Sequence, residues 1–335
     1  MQHHKSFLIL SLLAAALLLP GTPIATNAQS ATTIRIASLA PPGSSFVKVL
    51  KAWGRTLEKE TDGRVELRVF SGGSDGSDRA LVKQIKAGKL DAAGVATTGL
   101  SMIAPELQVL AAPGLLTDQD SLDRVREKLD DKLQGMIEAG GFTLLAWGDG
   151  GKNRVFATEE FSKPSDLERK AAWAGKDNAV QNAYVKALGA APLRTKAAGV
   201  LPGLKGGSLH VVPASAMSAV AFQWYTQLKY MTSSNFNIIV GGSVISTKVF
   251  KKLNEADQKV LLDTAKRAAS KLGQIVARDD DRAYKTLLSR NITEVDTSVH
   301  QAEWEAAAKK AREHLVKKGV FSKSLLQAVE AAAAP

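Results

Sequence analysis

Cysteine is absent from all 335 residues, which rules out a disulfide framework, a thiolate metal site and a cysteine nucleophile. Histidine is scarce, and His210, His300 and His314 stand far apart without HExxH or paired-ligand spacing. They read as structural or surface residues, and no zinc site is expected. There is no Gly-x-Ser-x-Gly nucleophile elbow and no Gly-Lys-Ser/Thr phosphate loop. Asp75 and Asp78 fall in a Gly-rich turn that lacks the closing Glu of a calcium loop, so they read as turn and capping residues. Asp279-Asp280-Asp281 reads as a solvated helix face. Lysine and arginine (44) outnumber aspartate and glutamate (33). The excess is scattered over amphipathic segments with no basic run interleaved with aromatics, so nucleic acid is not an expected partner.

Long apolar runs are confined to one place. Lys5 is the only charged side chain in the first 28 residues, and Phe7 to Leu19 is almost unbroken apolar sequence ending at Pro20-Gly21. The run is shorter than the roughly 20 residues of a spanning helix. Thr26-Asn27-Ala28 follows with small residues suited to cleavage, so 1–28 reads as a secretory signal removed near Ala28. No later segment has 18 uncharged apolar residues, and the exported remainder is expected to be a soluble periplasmic protein. Its length suffices for two domains with separate cores.

Strand and helix signals alternate through that remainder. Thr33–Ser38 and Arg64–Phe70 alternate as strands. Between them a helix beginning at Ser45 as cap carries Phe46, Leu50, Trp53 and Leu57 on one stripe. A helix over Arg79–Ala87 and a buried strand over Leu90–Val95 complete a βαβαβ order, which implies a parallel sheet with crossover helices. Further on, strands are expected at Phe142–Trp147 and Arg154–Ala157 around a Gly148–Gly151 loop, near Lys170–Ala174, and at Leu209–Val212 closed by Pro213. Helices are expected over Asn178–Leu188 and Ser215–Leu228, and Ile238–Ser246 is an apolar crossing segment. From the capping pair Asn254 and Asp257 onward the pattern is almost wholly helical, with a break near Asn291 to Asp296. Two α/β lobes with a helical tail follow, their facing edges forming a cleft.

Five short stretches in order give this pattern a family. Ala87-Gly88-Lys89-Leu90-Asp91-Ala92-Ala93, Pro113-Gly114-Leu115-Leu116, Pro164-Ser165-Asp166-Leu167 and Leu188-Gly189-Ala190-Ala191-Pro192, with the strand after Asp166, resemble the periplasmic substrate-binding proteins of TRAP transporters, the DctP-like family. The resemblance implies a type II-like two-lobed binding protein with hinge strands and a long connecting helix. It assigns 29–148 plus 238–280 to lobe I, and 149–237 plus 281–335, with the C-terminal helices, to lobe II. It further implies a small-molecule ligand, membrane permease subunits as partners, no cofactor and no enzymatic activity.

One departure from the family pattern sets the expected ligand. Typical members carry an arginine on the strand after P-x-D-L-K-G, where it clamps a carboxylate; here Lys170-Ala171-Ala172-Trp173-Ala174 puts Trp173 in that position. Guanidinium offers five planar donors, whereas indole offers one donor and a broad apolar face. The replacement is similar to a branch of the family associated with a TPR-repeat periplasmic partner and suited to hydrophobic or amphiphilic ligands. Trp147, Trp173, Phe222, Trp224 and Tyr225 are the expected aromatic contacts. Asn153 and Arg154 lie where the family often has a second cleft arginine. The alternatives are an organic-acid receptor of the same fold that uses Arg154, with Arg194 as a further cation, and an exported enzyme built on a binding-protein scaffold.

Overall fold

Alternation at one end of the chain and helical periodicity at the other build a mixed α/β molecule. The computed structural model describes residues 31–72 and 76–335; the expected export signal and Asp75 lie outside them. β1 (Thr32–Ser38) buries Ile34 and Ile36, and α1 (Ser45–Glu60) follows it. The cap of α1 is Ser44, one residue before the expected one, its hydroxyl accepting from Val47 N. Leu50, Trp53 and Leu57 are buried as the stripe predicts, and full burial of such side chains contributes about 1.5–3 kcal/mol each. β2 (Val65–Ser71), α2 (Asp78–Lys86) and β3 (Ala92–Ala96) complete the first motif. A short α3 (Thr97–Leu100) leads through a 3-10 turn, Pro105–Ala111, to α4 (Gln119–Ala139). β4 runs from Phe142 to Ala157. β5 (Ala171–Gly175), α5 (Ala179–Ala187), β6 (Ala191–Thr195), α6 (Val200–Lys205), β7 (Val211–Ser215) and α7 (Ala216–Ala221) form the second α/β portion. β8 (Tyr230–Thr232), β9 (Asn237–Ser246) and α8 (Thr247–Phe250) precede the 35-residue α9 (Glu255–Ser289). β10 (Thr293–Val295), α10 (Gln301–Lys317) and α11 (Lys323–Ala333) close the chain.

The main path through the sheet is β2-β1-β3-β9-β4-β7-β5-β6, with β8 pairing both β4 and β10. β1 is parallel to β2 and β3, as the βαβαβ order requires. β5 is parallel to β6 and β7, so each end of the sheet is a parallel α/β unit. The two units are joined by β4 and β9, which pair antiparallel along their lengths. β9 pairs β3 over Gly241–Ile245, while β4 pairs β7 over Asn153–Ala157. β9 is thus attached to the first unit and β4 to the second, and the two units are connected through the pairing of these strands with each other.

Several expectations are corrected here. Gly148–Gly151 is not a loop between two strands but the middle of β4, with a register shift between Asp149 and Lys152. Glycine is required there, since Gly151 has φ +92° and an added Cβ would lie 2.8 Å from Asp280 Oδ1. Pro213 does not close β7, which continues beside β4 to Ser215. The expected helix over Ser215–Leu228 stops at Ala221, because Gln223 takes a left-handed conformation (φ 56°) before a 3-10 turn at Trp224–Thr226. α9 is capped by Asn254, whose side chain accepts from Asp257 N, and it packs against both α1 and α7. α10 packs on α5, whereas α11 packs on α4. Among the described residues, no helix is long and apolar enough to cross a membrane.

Candidate ligand-binding site

The carboxyl ends of β3, β5 and β7 converge on the joining strands at Asn153 and Asn237, and there a cavity of about 220 Å³ opens. Its wall takes Thr97 and Thr98 from one end of the sheet, and Trp173, Asn178, Ser215 and Ser218 from the other. Sites beyond the carboxyl ends of parallel strands are the usual ligand positions of open α/β sheets. No acidic, basic or histidine side chain lines the cavity among the described residues. An ionised carboxylate placed here would give up hydration without meeting an opposite charge, a cost of several kcal/mol.

Its polar groups are largely committed to holding the fold. Asn237 Nδ2 donates to Ala111 O (2.7 Å), and Asn153 Nδ2 donates to Asn237 Oδ1 (2.9 Å). Asn178 caps α5, its Oδ1 accepting from Gln181 N, while Gln181 bonds Gly175 N and Pro213 O. Ser215 caps α7 by accepting from Ser218 N. Thr98 Oγ1 donates to Asp78 Oδ2 (2.6 Å); burial pushes that carboxyl up, against the opposing effect of this bond. Tyr184 is deeply buried, and burial pushes its phenol well above the ordinary value.

Trp173 is half-buried and lines the cavity, and its indole packs edge-on against Trp224 at a centroid distance of 5.3 Å. Its Nε1 donates to Thr195 O (3.0 Å). With that donor engaged, the side chain offers the cavity apolar surface.

The other expected site residues are dispersed. Asn153 lines the cavity, but Arg154 points to the opposite face of β4, toward α9. There Arg154 Nη1 lies 4.0 Å from Asp280 Oδ2, and its guanidinium stacks 4.5 Å over the Tyr284 ring. Burial lowers the Arg154 pKa and raises that of Asp280, each partner opposing the shift in the other. Asp280 is thus a buried residue and not part of a solvated face. Arg194 donates to Asn182 Oδ1 at the surface. Trp147 bonds Asp130 Oδ1 and lines two other cavities, one of about 580 Å³ between α4 and α9 and an apolar one of about 210 Å³ under α1. Trp224 is a core residue, Tyr225 packs against the same core, and Phe222 stacks on Trp224 with half its surface in solvent. Sequence reasoning missed Asn237, Ser215 and Ser218. Only Ser215 had a legible signal, a Ser at the end of a strand just before a helix, the signature of an N-cap; Asn237 opens β9 and Ser218 lies within α7.

The model of bacterial extracellular solute-binding protein family 7 (DctP) matches residues 36–318. The 2,3-diketo-L-gulonate-binding periplasmic protein YiaO of Escherichia coli is 21% identical over 308 residues, covering 91% of this chain and 93% of that protein. The sialic acid-binding periplasmic protein SiaP of Vibrio cholerae is 22% identical over 254 residues, covering 74% and 77%. In fold, the chain is similar to a TRAP periplasmic solute-binding protein of Roseobacter denitrificans with bound β-D-glucuronate (TM-score 0.81, 18% identity, 90% of this chain and 99% of that one). It is also similar to DctP7 of Bordetella pertussis, a receptor binding pyroglutamic acid (TM-score 0.79, 15% identity, 90% and 99%).

Proposed function

Because this chain belongs to bacterial extracellular solute-binding protein family 7, the receptors and not enzymes of TRAP transport, we propose that its cleft carries an uncharged, largely apolar or amphiphilic solute. The observation that carries this reading is the cavity wall itself, which includes Trp173 and, among the described residues, no cation. Covering about 80 Å² of apolar ligand against such a wall contributes about 2 kcal/mol.

The lobes of this reading are 29–148 plus 238–280 and 149–237 plus 281–335. A solute touching Thr97 in the first and Trp173 in the second binds the closed form better than the open one, and so shifts the population toward closure. Membrane permease subunits work with receptors of this family. The same reading includes export through the signal at 1–28 and a TPR-repeat periplasmic protein as a further partner, which co-purification from the periplasm tests.

A second reading, an organic acid held by Arg154, draws support from the glucuronate and pyroglutamate bound by the similar structures. It requires Arg154 to leave Asp280 and Tyr284 and cross the strand. Native mass spectrometry of protein purified from its own periplasm, followed by extraction of the bound compound, tests both. A neutral apolar adduct supports the first reading. An organic acid whose binding is abolished by Arg154→Ala replaces it with the second.

A further inference from the structure

The two asparagines at the floor of the cavity impose a direction on each other. Ala111 offers a carbonyl oxygen, which only accepts, so the Asn237 group 2.7 Å from it must be the amide nitrogen. That orientation turns Asn237 Oδ1 toward Asn153, and the 2.9 Å contact can be made only if Asn153 presents its own nitrogen. The relay therefore sets the amide of Asn153 as well. Its nitrogen faces Asn237, and its oxygen is left as the outward group at the cavity. Among the described residues Asn153 Oδ1 has no hydrogen-bond partner, and it is not sealed from solvent. Asn153 is held from three sides: by its pairing with Asn237 in β9, by its pairing with Ser215 in β7, and by its carbonyl accepting from Phe236 N. The acceptor is thus fixed to backbone that belongs to the joining strands.

We propose that Asn153 Oδ1 is the specificity-determining group of the cleft, selecting solutes that carry a hydroxyl or amide N–H donor on an apolar body. A carboxylate has only acceptor oxygens, so its oxygen would face Asn153 Oδ1 with no cation nearby to offset the repulsion. An acceptor-only neutral solute leaves Oδ1 buried and unpaired when the cleft closes. Discrimination of this type, in which a polar group of the site is stranded by the wrong ligand, is far stronger than discrimination by one methylene. Trp173 complements it: with Nε1 engaged by Thr195 O, the indole supplies surface and no competing donor. The inference rests on the cleft being the solute site, as set out under the proposed function.

The test uses matched triplets sharing one body: benzamide, N,N-dimethylbenzamide and benzoate, with the corresponding cyclohexane series. Binding to the mature protein is read by ligand-observed NMR and titration calorimetry, and Trp173→Ala identifies signals that arise in the cleft. Primary amides are expected to bind about tenfold to a hundredfold more tightly than either partner. In Asn153→Leu that preference is lost. In Asn237→Ala the acceptor remains but is free to turn, so the ratio of amide to carboxylate affinity narrows toward one while amide binding stays within a few-fold. A purely structural role for Asn237 would lower all three affinities together, and that result overturns the proposal. Cleft binding led by the dimethyl amides overturns the Asn153 inference and leaves the neutral-solute reading standing. Cleft binding led by the carboxylates overturns both. If no member gives a Trp173-sensitive signal, the cleft assignment beneath the inference fails.

Discussion

Restoring a guanidinium to the cleft is the sharpest perturbation of its charge. Trp173 lies on β5 opposite Leu193 of β6, its indole donating to Thr195 O, and among the described residues no anion lines the cavity to neutralise an incoming cation. In Trp173→Arg, a solute carboxylate would gain a bidentate pair, with each charged hydrogen bond contributing about 1.5–3 kcal/mol. Desolvation of both ions offsets much of that, leaving about 2–3 kcal/mol, or roughly a 30-fold to 150-fold gain in carboxylate affinity. The same change removes the edge-on contact with Trp224 and the half-buried indole surface, so affinity for neutral apolar solutes falls by about tenfold or more. Calorimetric titration of wild type and variant with benzoate and benzamide reads both effects, and a thermal melt establishes that the variant is folded. If a folded Trp173→Arg protein binds benzoate no better than wild type does, position 173 does not face the solute and the argument from the missing clamp collapses.

Two predictions concern the scaffold that holds the cleft. Asp91, buried just before β3, is pushed upward by its burial, but the Arg35 guanidinium and backbone amide outweigh this and hold the carboxyl below its usual range. A carboxyl lowered in the fold contributes stability above its unfolded pKa, and loses it as pH falls through the folded value. Asp91→Asn is therefore expected to lower the melting temperature by roughly a few degrees at pH 7 and by progressively less toward pH 3; an equal deficit at both ends refutes the linkage. Gly151→Ala places a methyl 2.8 Å from Asp280 Oδ1 and 3.0 Å from Met217 Cε at φ +92°, a strain of about 1–3 kcal/mol that denaturant unfolding should register.

The sheet was legible because its strands alternate and its crossovers are amphipathic: β1, α1, β2, α2 and β3 lie within two residues of expectation. The second portion was less so. Glycines at 148, 150 and 151 look like a loop, yet β4 passes straight through because β9 pairs with it on both sides of the shift. Neither pattern nor propensity encodes that pairing, which joins residues about 90 apart in sequence. Trp173 reached the cavity on the strength of family resemblance alone. The aromatic cluster was the weakest inference: nothing in the local sequence distinguishes Trp224, which is core, from Phe222, whose ring is half in water.

Strand parity explains why the cleft is neutral although an arginine stands next to it. Successive residues of β4 face opposite sides of the sheet, so Asn153 meets the cavity and Arg154 meets α9. On that far side Arg154 meets Asp280 at 4.0 Å and the Tyr284 face, and among the described residues its Nε and Nη1 have no hydrogen-bond partner, nor does Asp280 Oδ1. Glu294 and Asp281 add weaker attraction. The pair links a joining strand to α9, the helix that packs against both α1 and α7, and on the neutral-solute reading it braces the fold instead of touching the solute. Arg154→Leu leaves the buried Asp280 carboxylate with only the backbone amide and charge of Lys152 to offset its burial, at a cost of about 3 kcal/mol. Asp280 already has a raised pKa in the fold. Its contribution is complete below the unfolded pKa and is lost as pH rises through the folded value, and removing Arg154 extends that loss to higher pH. The single variant should thus be less stable than wild type at pH 7 and recover toward pH 4, and the double variant Arg154→Leu with Asp280→Leu should regain most of the deficit at pH 7. Solute affinity in folded single and double variants should stay within about threefold of wild type, because binding free energies at sites without shared partners are nearly independent. Loss of carboxylate binding in the folded double variant would put Arg154 in the cleft after all, and with it the organic-acid reading.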